Sequence, residues 1–344
     1  MKIVIDSNIP FTRGVFEPYA EVVYRDAGQI TREDVAGAQA LITRTRTRCD
    51  AALLEGSDVR IIATATIGTD HIDLPWCGEH GIFVSNASGS NAGGVMNYVF
   101  SALYGAAARK SIPLQGATIG ILGAGSCGSR VERMARQLGF KVLLYDPLRA
   151  EAEGGDGFSD LDTVLAGSDV ITLHLPLNDS TRHMADSSFF ARMRFGAFFI
   201  NAARGGLVVE EDLVRAIPKL GPVIIDAWEN EPDVNHTLLN LSDIGTPHIA
   251  GYSYQGKMIS TSKVVRAVAR YFGIKELYDF FPAADVPGLE AVKLDVHGLS
   301  QGQIASVLQY NYPIFTDDFM FRMNPSGFAQ LRAEYHYRRE FYID

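Results

Sequence analysis

The sequence predicts an α/β fold built on doubly wound parallel sheets. Three observations carry this. Short apolar runs without polar alternation recur along the chain, as in strands buried on both faces of a parallel sheet. Mixed polar segments of helical length separate them. A glycine-rich turn joins one such run to a helix. The first runs are Lys2–Asp6, Ala40–Thr43, Val59–Thr66 and Gly81–Ala87, and a long helix is expected from Asn91 to about Arg109. The pattern then restarts. Strands are expected at Gly116–Gly123, Lys141–Asp146, Ser168–Pro176, Gly196–Ala203 and Gly221–Ala227, with a helix after the first of these. A second long helix is expected from Tyr254 to Phe272. From Ala291 the composition shifts toward Tyr, Phe and Arg, with helices near "SQGQIASVLQYN" and "SGFAQLRAEYHYRRE". This tail reads as a small separate module.

Composition narrows the function. The 344 residues are 47% hydrophobic and 21% charged, enough for two or three domains. A net charge of −9 argues against a general nucleic-acid surface. Cys49, Cys77 and Cys127 are too scattered for a disulfide framework, and no metal-ligand spacing occurs, so no metal is expected. The most apolar helical segment, "VMNYVFSALYGAAA", is short for a bilayer span and contains Asn97. A soluble cytoplasmic protein, without membrane or nucleic-acid partners, is the expectation.

"GILGAGSCGSRVE" places Gly123, Gly125 and Gly128 between a strand and a helix, and Asp146 ends the next strand. The first glycine permits the turn, the second lets backbone approach a pyrophosphate, and the third lets helix and strand pack closely. The helix N-terminus then faces the phosphates. A carboxylate at Asp146 would accept ribose hydroxyls and repel a 2′-phosphate, so the expected cofactor is NAD.

Three further residues follow strand ends: Arg204 in "INAARGGLVV", Glu231 in "DAWENEP" and His248 in "TPHIAGYS". Loops after the carboxyl ends of parallel strands border the ligand crevice of such folds. Each residue alone is also compatible with a structural place: a surface arginine, a solvated acid, a satisfied core histidine. Together, behind a dinucleotide loop, they suit oxidation of an alcohol beside a carboxylate. A neutral imidazole takes the hydroxyl proton, and a carboxylate on its other nitrogen fixes the tautomer. The guanidinium holds the substrate carboxylate. Asp226, ending its strand, is a candidate acceptor for the nicotinamide amide or a turn cap. In "ITRTRTRC", Arg44, Arg46 and Arg48 would share one face if extended. Arg44 and Arg46 are the favoured phosphate ligands, against a plain basic edge. His71 and His174 read as structural.

The combination of "GILGAGSCG", "NAARGGLV", "DAWENEP" and "TPHIAGY" resembles the D-isomer-specific 2-hydroxyacid dehydrogenases. The resemblance implies a Rossmann-like cofactor domain inserted in a flavodoxin-like substrate domain, plus a small α+β C-terminal dimerisation module. The implied boundaries are 1–90 with 254–284 for substrate, 91–253 for NAD, and 285–344 for the module. It implies Arg204, Glu231 and His248 as catalytic residues and Thr45, Thr66 and Tyr252 as substrate contacts. It implies cofactor contacts at Ser126, Cys127, Asp146, Ala202, Ala203, Asp226 and Gly251. Leu175 stands where the family usually has Thr, so its contact would be through backbone. The implied activity is NAD-dependent oxidation of a small phosphorylated 2-hydroxy acid by a homodimer. A sister enzyme acting on another 2-hydroxy acid, such as 3-phosphoglycerate, remains an alternative. So does an NAD(H)-sensing, corepressor-like binding protein.

Overall fold

The computed structural model describes every residue except Ala27, Asp285 and Asp344. The chain divides into two compact units: Met1–Asn91 with Tyr254–Glu290, and Ala92–Ser253 with Ala291–Asp344. Among the described residues no helix is long and apolar enough to cross a membrane.

The first unit holds strands β1 (Lys2–Asp6), β2 (Glu21–Arg25), β3 (Ala40–Thr43), β4 (Ile61–Thr64) and β5 (Phe83–Asn86). They form one parallel sheet in the order β2-β1-β3-β4-β5. This is the flavodoxin-like order, with its reversal between β1 and β3. Alternate residues supply two cores. Ile3, Ile5, Ile42 and Ile61 pack with Val264, Val265 and Val268 of the second long helix, Tyr254–Phe272. Val4, Leu41 and Ile62 pack on the opposite face with Leu54 and Cys77. Burial on both sides is why these strands read as unbroken apolar runs.

The second unit holds β6 (Thr118–Leu122), β7 (Lys141–Tyr145), β8 (Val170–Leu173), β9 (Phe198–Asn201), β10 (Val223–Ile225) and β11 (Ile244–Gly245). Their order is β11-β10-β9-β8-β6-β7, and every pair is parallel. Again neighbours along a strand face opposite cores. Val170, Ile200 and Ile224 join the first long helix, Ala92–Lys110, while Ile171, Phe199 and Ile225 join Trp228 and Phe189. The order reverses between β6 and β8. All six strands deliver their carboxyl ends to one edge, which is where a ligand crevice forms in such sheets.

The C-terminal segment, expected as a small module, packs into the core of the second unit. Val296, Leu308, Tyr312, Phe341 and Ile343 belong to the same cluster as the first long helix. Asn97 of that helix is buried and satisfied by the tail. Its amide donates to the Phe341 carbonyl at 2.8 Å and accepts the Phe341 N–H at 3.0 Å. The tail adds β12 (Val292–Leu294) paired in parallel with β13 (Phe341–Ile343), and a helix at Ile314–Met323 that the sequence reading omits. The helix expected through "SGFAQLRAEYHYRRE" is confined to Phe328–Ala333.

Candidate active site

The glycine turn follows β6. Gly123 has φ 91°, open to glycine at no steric cost. A Cβ at Gly128 would stand 1.9 Å from the Gly123 carbonyl oxygen, so the helix closes on the strand only with glycine there. Gly125 differs: a Cβ there would meet nothing within 4 Å. The protein's own packing does not need that bareness, and it leaves room for a ligand. Gly125 also caps the helix Ser126–Gln137, whose first turn, with Ser126 and Cys127, carries no acid. Its N–H groups therefore present positive potential to a phosphate. The Cys127 thiol is pushed up to about 11 by burial, with the Arg204 and Arg130 charges opposing. Asp146 follows β7 and accepts the Ala124 amide at 2.8 Å, which ties it to the glycine turn. Arg149 is a residue the sequence reading omits. It donates to the Ala124 carbonyl at 2.6 Å and pairs with Glu153. The Leu175 backbone nitrogen lies 2.8 Å from where a Gly123 Cβ would be, so the loop after β8 borders the same turn. These features fit the NAD of dinucleotide folds: bare backbone for the pyrophosphate and an acid for the ribose.

Arg204 follows β9, after Ala202 and Ala203. Its guanidinium donates to the Ala203 carbonyl at 2.8 Å. Asn201 holds this loop, donating to the Arg204 and Ala227 carbonyls and accepting from the Ala203 amide. A polar residue closing an apolar strand was the available signal for Asn201. A Cβ at Gly205 would stand 1.9 Å from the Trp228 carbonyl carbon. The loop after β9 is thus pressed flat against the loop after β10, which carries Glu231.

His248 and Glu231 meet. The imidazole Nδ1 lies 2.9 and 2.8 Å from the two Glu231 oxygens. Glu231 also accepts the Trp228 amide at 2.9 Å. Burial pushes the Glu231 carboxyl up. His248, as charge and hydrogen-bond partner, with the Trp228 amide and the Arg332 charge, outweighs it and holds the group below the ordinary carboxylate value. An ionised Glu231 makes Nδ1 the protonated nitrogen, leaving Nε2 as the basic one.

Asp226 holds the His248 loop. Its carboxylate is fully buried and accepts the Thr246 hydroxyl and the Ile249 and Ala250 amides at 2.7 to 2.9 Å. The His248 amide donates to the Asp226 carbonyl at 2.8 Å. Gly251 and Tyr252 continue this loop. Tyr252 meets Tyr335 and Tyr337 edge-on, with ring centroids 5.9 and 6.2 Å apart.

The remaining candidates lie in the first unit. Thr45 and Thr66 follow β3 and β4, adjacent strands. Thr66 donates to the Gly68 carbonyl and meets the Thr64 hydroxyl, which also contacts His71 Nε2 at 3.1 Å. The alternation of Arg44, Arg46 and Arg48 does not put them on one extended face. The strand ends at Thr43, and the Thr47 amide turns back to the Arg44 carbonyl. Arg48 pairs with Asp50 instead. Asp6, ending β1, is buried, and its carboxyl is pushed up by burial against the opposing Asn8 amide and Arg44 charge. Among the described residues no group of three or more His, Cys, Asp or Glu is placed to hold a metal.

The family model described as D-isomer specific 2-hydroxyacid dehydrogenase, NAD binding domain, matches residues 99–250. Among solved structures, the cofactor (NAD+)-bound 3-phosphoglycerate dehydrogenase of Entamoeba histolytica superposes with a TM-score of 0.69 at 25% identity, covering 81% of this chain and 97% of that one. The chain belongs to the D-isomer-specific 2-hydroxyacid dehydrogenase family and is an NAD-dependent oxidoreductase. Within that family it is similar to erythronate-4-phosphate dehydrogenases over nearly its whole length. The Bacteroides fragilis protein of that name is 40% identical, covering 99% of this chain and 97% of its own. That of Yersinia enterocolitica is 38% identical, covering 99% and 93%.

Proposed function

We propose that this protein oxidises 4-phospho-D-erythronate to (R)-3-hydroxy-2-oxo-4-phosphobutanoate, a step in pyridoxal 5′-phosphate biosynthesis. The observation that carries the chemistry is the His248–Glu231 pair, which leaves one imidazole nitrogen basic. Bound NAD supplies the hydride acceptor. His248 Nε2 takes the proton of the C2 hydroxyl as the hydride leaves C2, and Glu231 stabilises the imidazolium that forms. Arg204 holds the substrate carboxylate and polarises the C2 oxygen in the reverse direction. Thr45, Thr66 and Tyr252 contact substrate, and Arg44 and Arg46 take its phosphate. Gly123, Gly125, Ser126, Cys127 and Gly128 hold the cofactor pyrophosphate, and Asp146 the ribose. Leu175, Ala202, Ala203 and Gly251 line the remainder of the cofactor site, while Asp226, expected as an acceptor for the nicotinamide amide, is fully buried and serves instead as the cap that holds the His248 loop.

We further propose a homodimer formed through the module at 285–344. Exposed apolar side chains on that segment, Tyr310, Phe319, Met320 and Met323, support it. The substrate domain in this reading is 1–90 with 254–284, and the NAD domain is 91–253.

Nicotinamide fluorescence on mixing purified protein with NAD and single acids tests the reading. Turnover with 4-phospho-D-erythronate and little with 3-phosphoglycerate is expected. The reverse preference would make it a sister dehydrogenase. NADH binding without turnover on either acid would make it a cofactor-sensing protein.

A further inference from the structure

Arg332 lies in the short helix Phe328–Ala333 of the C-terminal segment. Its guanidinium carbon stands 5.5 Å from the Phe328 ring centroid and 5.7 Å from that of Tyr252. Tyr252 belongs to the loop that carries His248. The cation is therefore held by two aromatic rings beside the catalytic histidine's own loop. Its charge is among those that favour the ionised Glu231 carboxylate.

The nitrogen Nε of Arg332 is buried and has no hydrogen-bond partner. No ion pair reaches this side chain among the described residues. Neighbouring arginines of the segment are different. Arg322 bonds Asp318 and the Ser242 carbonyl, and Arg338 bonds Asp317 and Tyr335. A buried charged donor without an acceptor is costly, and its planar fork is complementary to an oxyanion. The substrate proposed above has two anionic ends: Arg204 is assigned the carboxylate, and a doubly charged phosphate can accept from a further guanidinium in addition to those of Arg44 and Arg46.

We propose that Arg332 is a specificity residue that binds the phosphate ester of the substrate, supplied to the site by the C-terminal segment. The inference rests on the phosphorylated substrate proposed above. A phosphate oxygen accepts from the guanidinium and satisfies the buried Nε. The ring faces of Tyr252 and Phe328 keep the fork in place before substrate arrives, so little side-chain entropy is lost on binding.

Steady-state kinetics with 4-phospho-D-erythronate and with D-erythronate, on wild type, Arg332→Ala and Arg332→Lys, test it. Arg332→Ala is expected to raise KM for the phosphorylated acid about 30-fold or more, with kcat changed about threefold at most. The preference in kcat/KM for the phosphorylated acid falls by about the same factor, and Arg332→Lys recovers part of it. NADH titration by fluorescence checks that the cofactor site is intact. Arg332→Gln reads the same loss if the alanine variant does not fold. An unchanged KM for the phosphorylated acid overturns the inference. So does an equal loss on both acids that lysine does not relieve, which marks structural support of Tyr252. A wild type that oxidises neither acid overturns the proposed function, and the inference with it. Failure of the inference alone is recognised by an active wild type.

Discussion

His248 adopts φ 53°, in the left-handed region that a side chain rarely enters. The backbone is kept there by bonds from its amide to the Asp226 and Thr246 carbonyls, and by the buried Asp226 carboxylate gripping the next two amides. Strain of this kind persists only where surrounding structure over-determines it, and it gathers at functional sites. His248→Gln should therefore lower turnover about a thousandfold. NADH affinity, read by fluorescence, should stay close to wild type; its collapse would give His248 a structural role instead. His174 is a contrasting histidine. It meets the Thr172 hydroxyl at 3.0 Å, and burial pushes its imidazole down to about 4 from an ordinary 6.5. Between those values the unfolded chain takes a proton that the folded one refuses. Stability should then fall as pH drops from 6.5 toward 4, with no contribution from this group above 6.5. His174→Gln should flatten that loss in melting scans across the window, and parallel curves would reject the assignment. At this scale the sequence is legible where a residue follows an apolar run, as Arg204 and Glu231 do after β9 and β10, whereas His248 follows only the two-residue β11 and is read from its motif "TPHIAGYS". What Asn201 and Arg332 touch is not legible, because it is decided by other strands or by the distant C-terminal segment.

The glycine turn shows how one element separates folding from binding. Gly128 is required by the protein: a Cβ there collides with the Gly123 carbonyl. Gly125 is not, since nothing lies within 4 Å of its Cβ position. Gly128→Ala should lower the melting temperature and NADH affinity together. Gly125→Ala should melt within about a degree or two of wild type, as surface changes do. If Gly125 borders the proposed pyrophosphate site, this variant should nevertheless bind NADH about tenfold or more weakly, because the methyl would fill that space. Equal NADH affinity in Gly125→Ala would remove the pyrophosphate from that gap. Strand β3 and the second long helix match the sequence reading at both ends, because burial of both sheet faces and of one helix face leaves a pattern in the residues. Strands β2 and β11 are not legible in the sequence. The first is a partly exposed edge strand and the second only two residues long, so neither leaves an apolar run to find. The arginines after β3 show the converse failure: alternation in sequence was there, but the strand had already ended.

For the whole molecule, the C-terminal segment is the part least legible in advance. Its change in composition reads as a boundary, yet Phe341 and Ile343 complete a core begun by the first long helix, and the buried Asn97 is matched by the backbone of β13. Composition reports a surface, and cores are shared across such changes. The same segment leaves Phe319 and Met323 on one helix 60% and 69% exposed. They are four residues apart and so on one face. A monomer gains nothing from such side chains in water, whereas a two-fold interface would bury them against their own symmetry copies. The protein should therefore sediment as a dimer at micromolar concentration. Phe319→Glu with Met323→Glu should place carboxylates face to face across that contact and shift it to monomer, with little change in the melting of the monomer itself. A wild type that sediments as a monomer would leave that face without a partner copy. A double variant that stays dimeric would move the interface elsewhere on the chain.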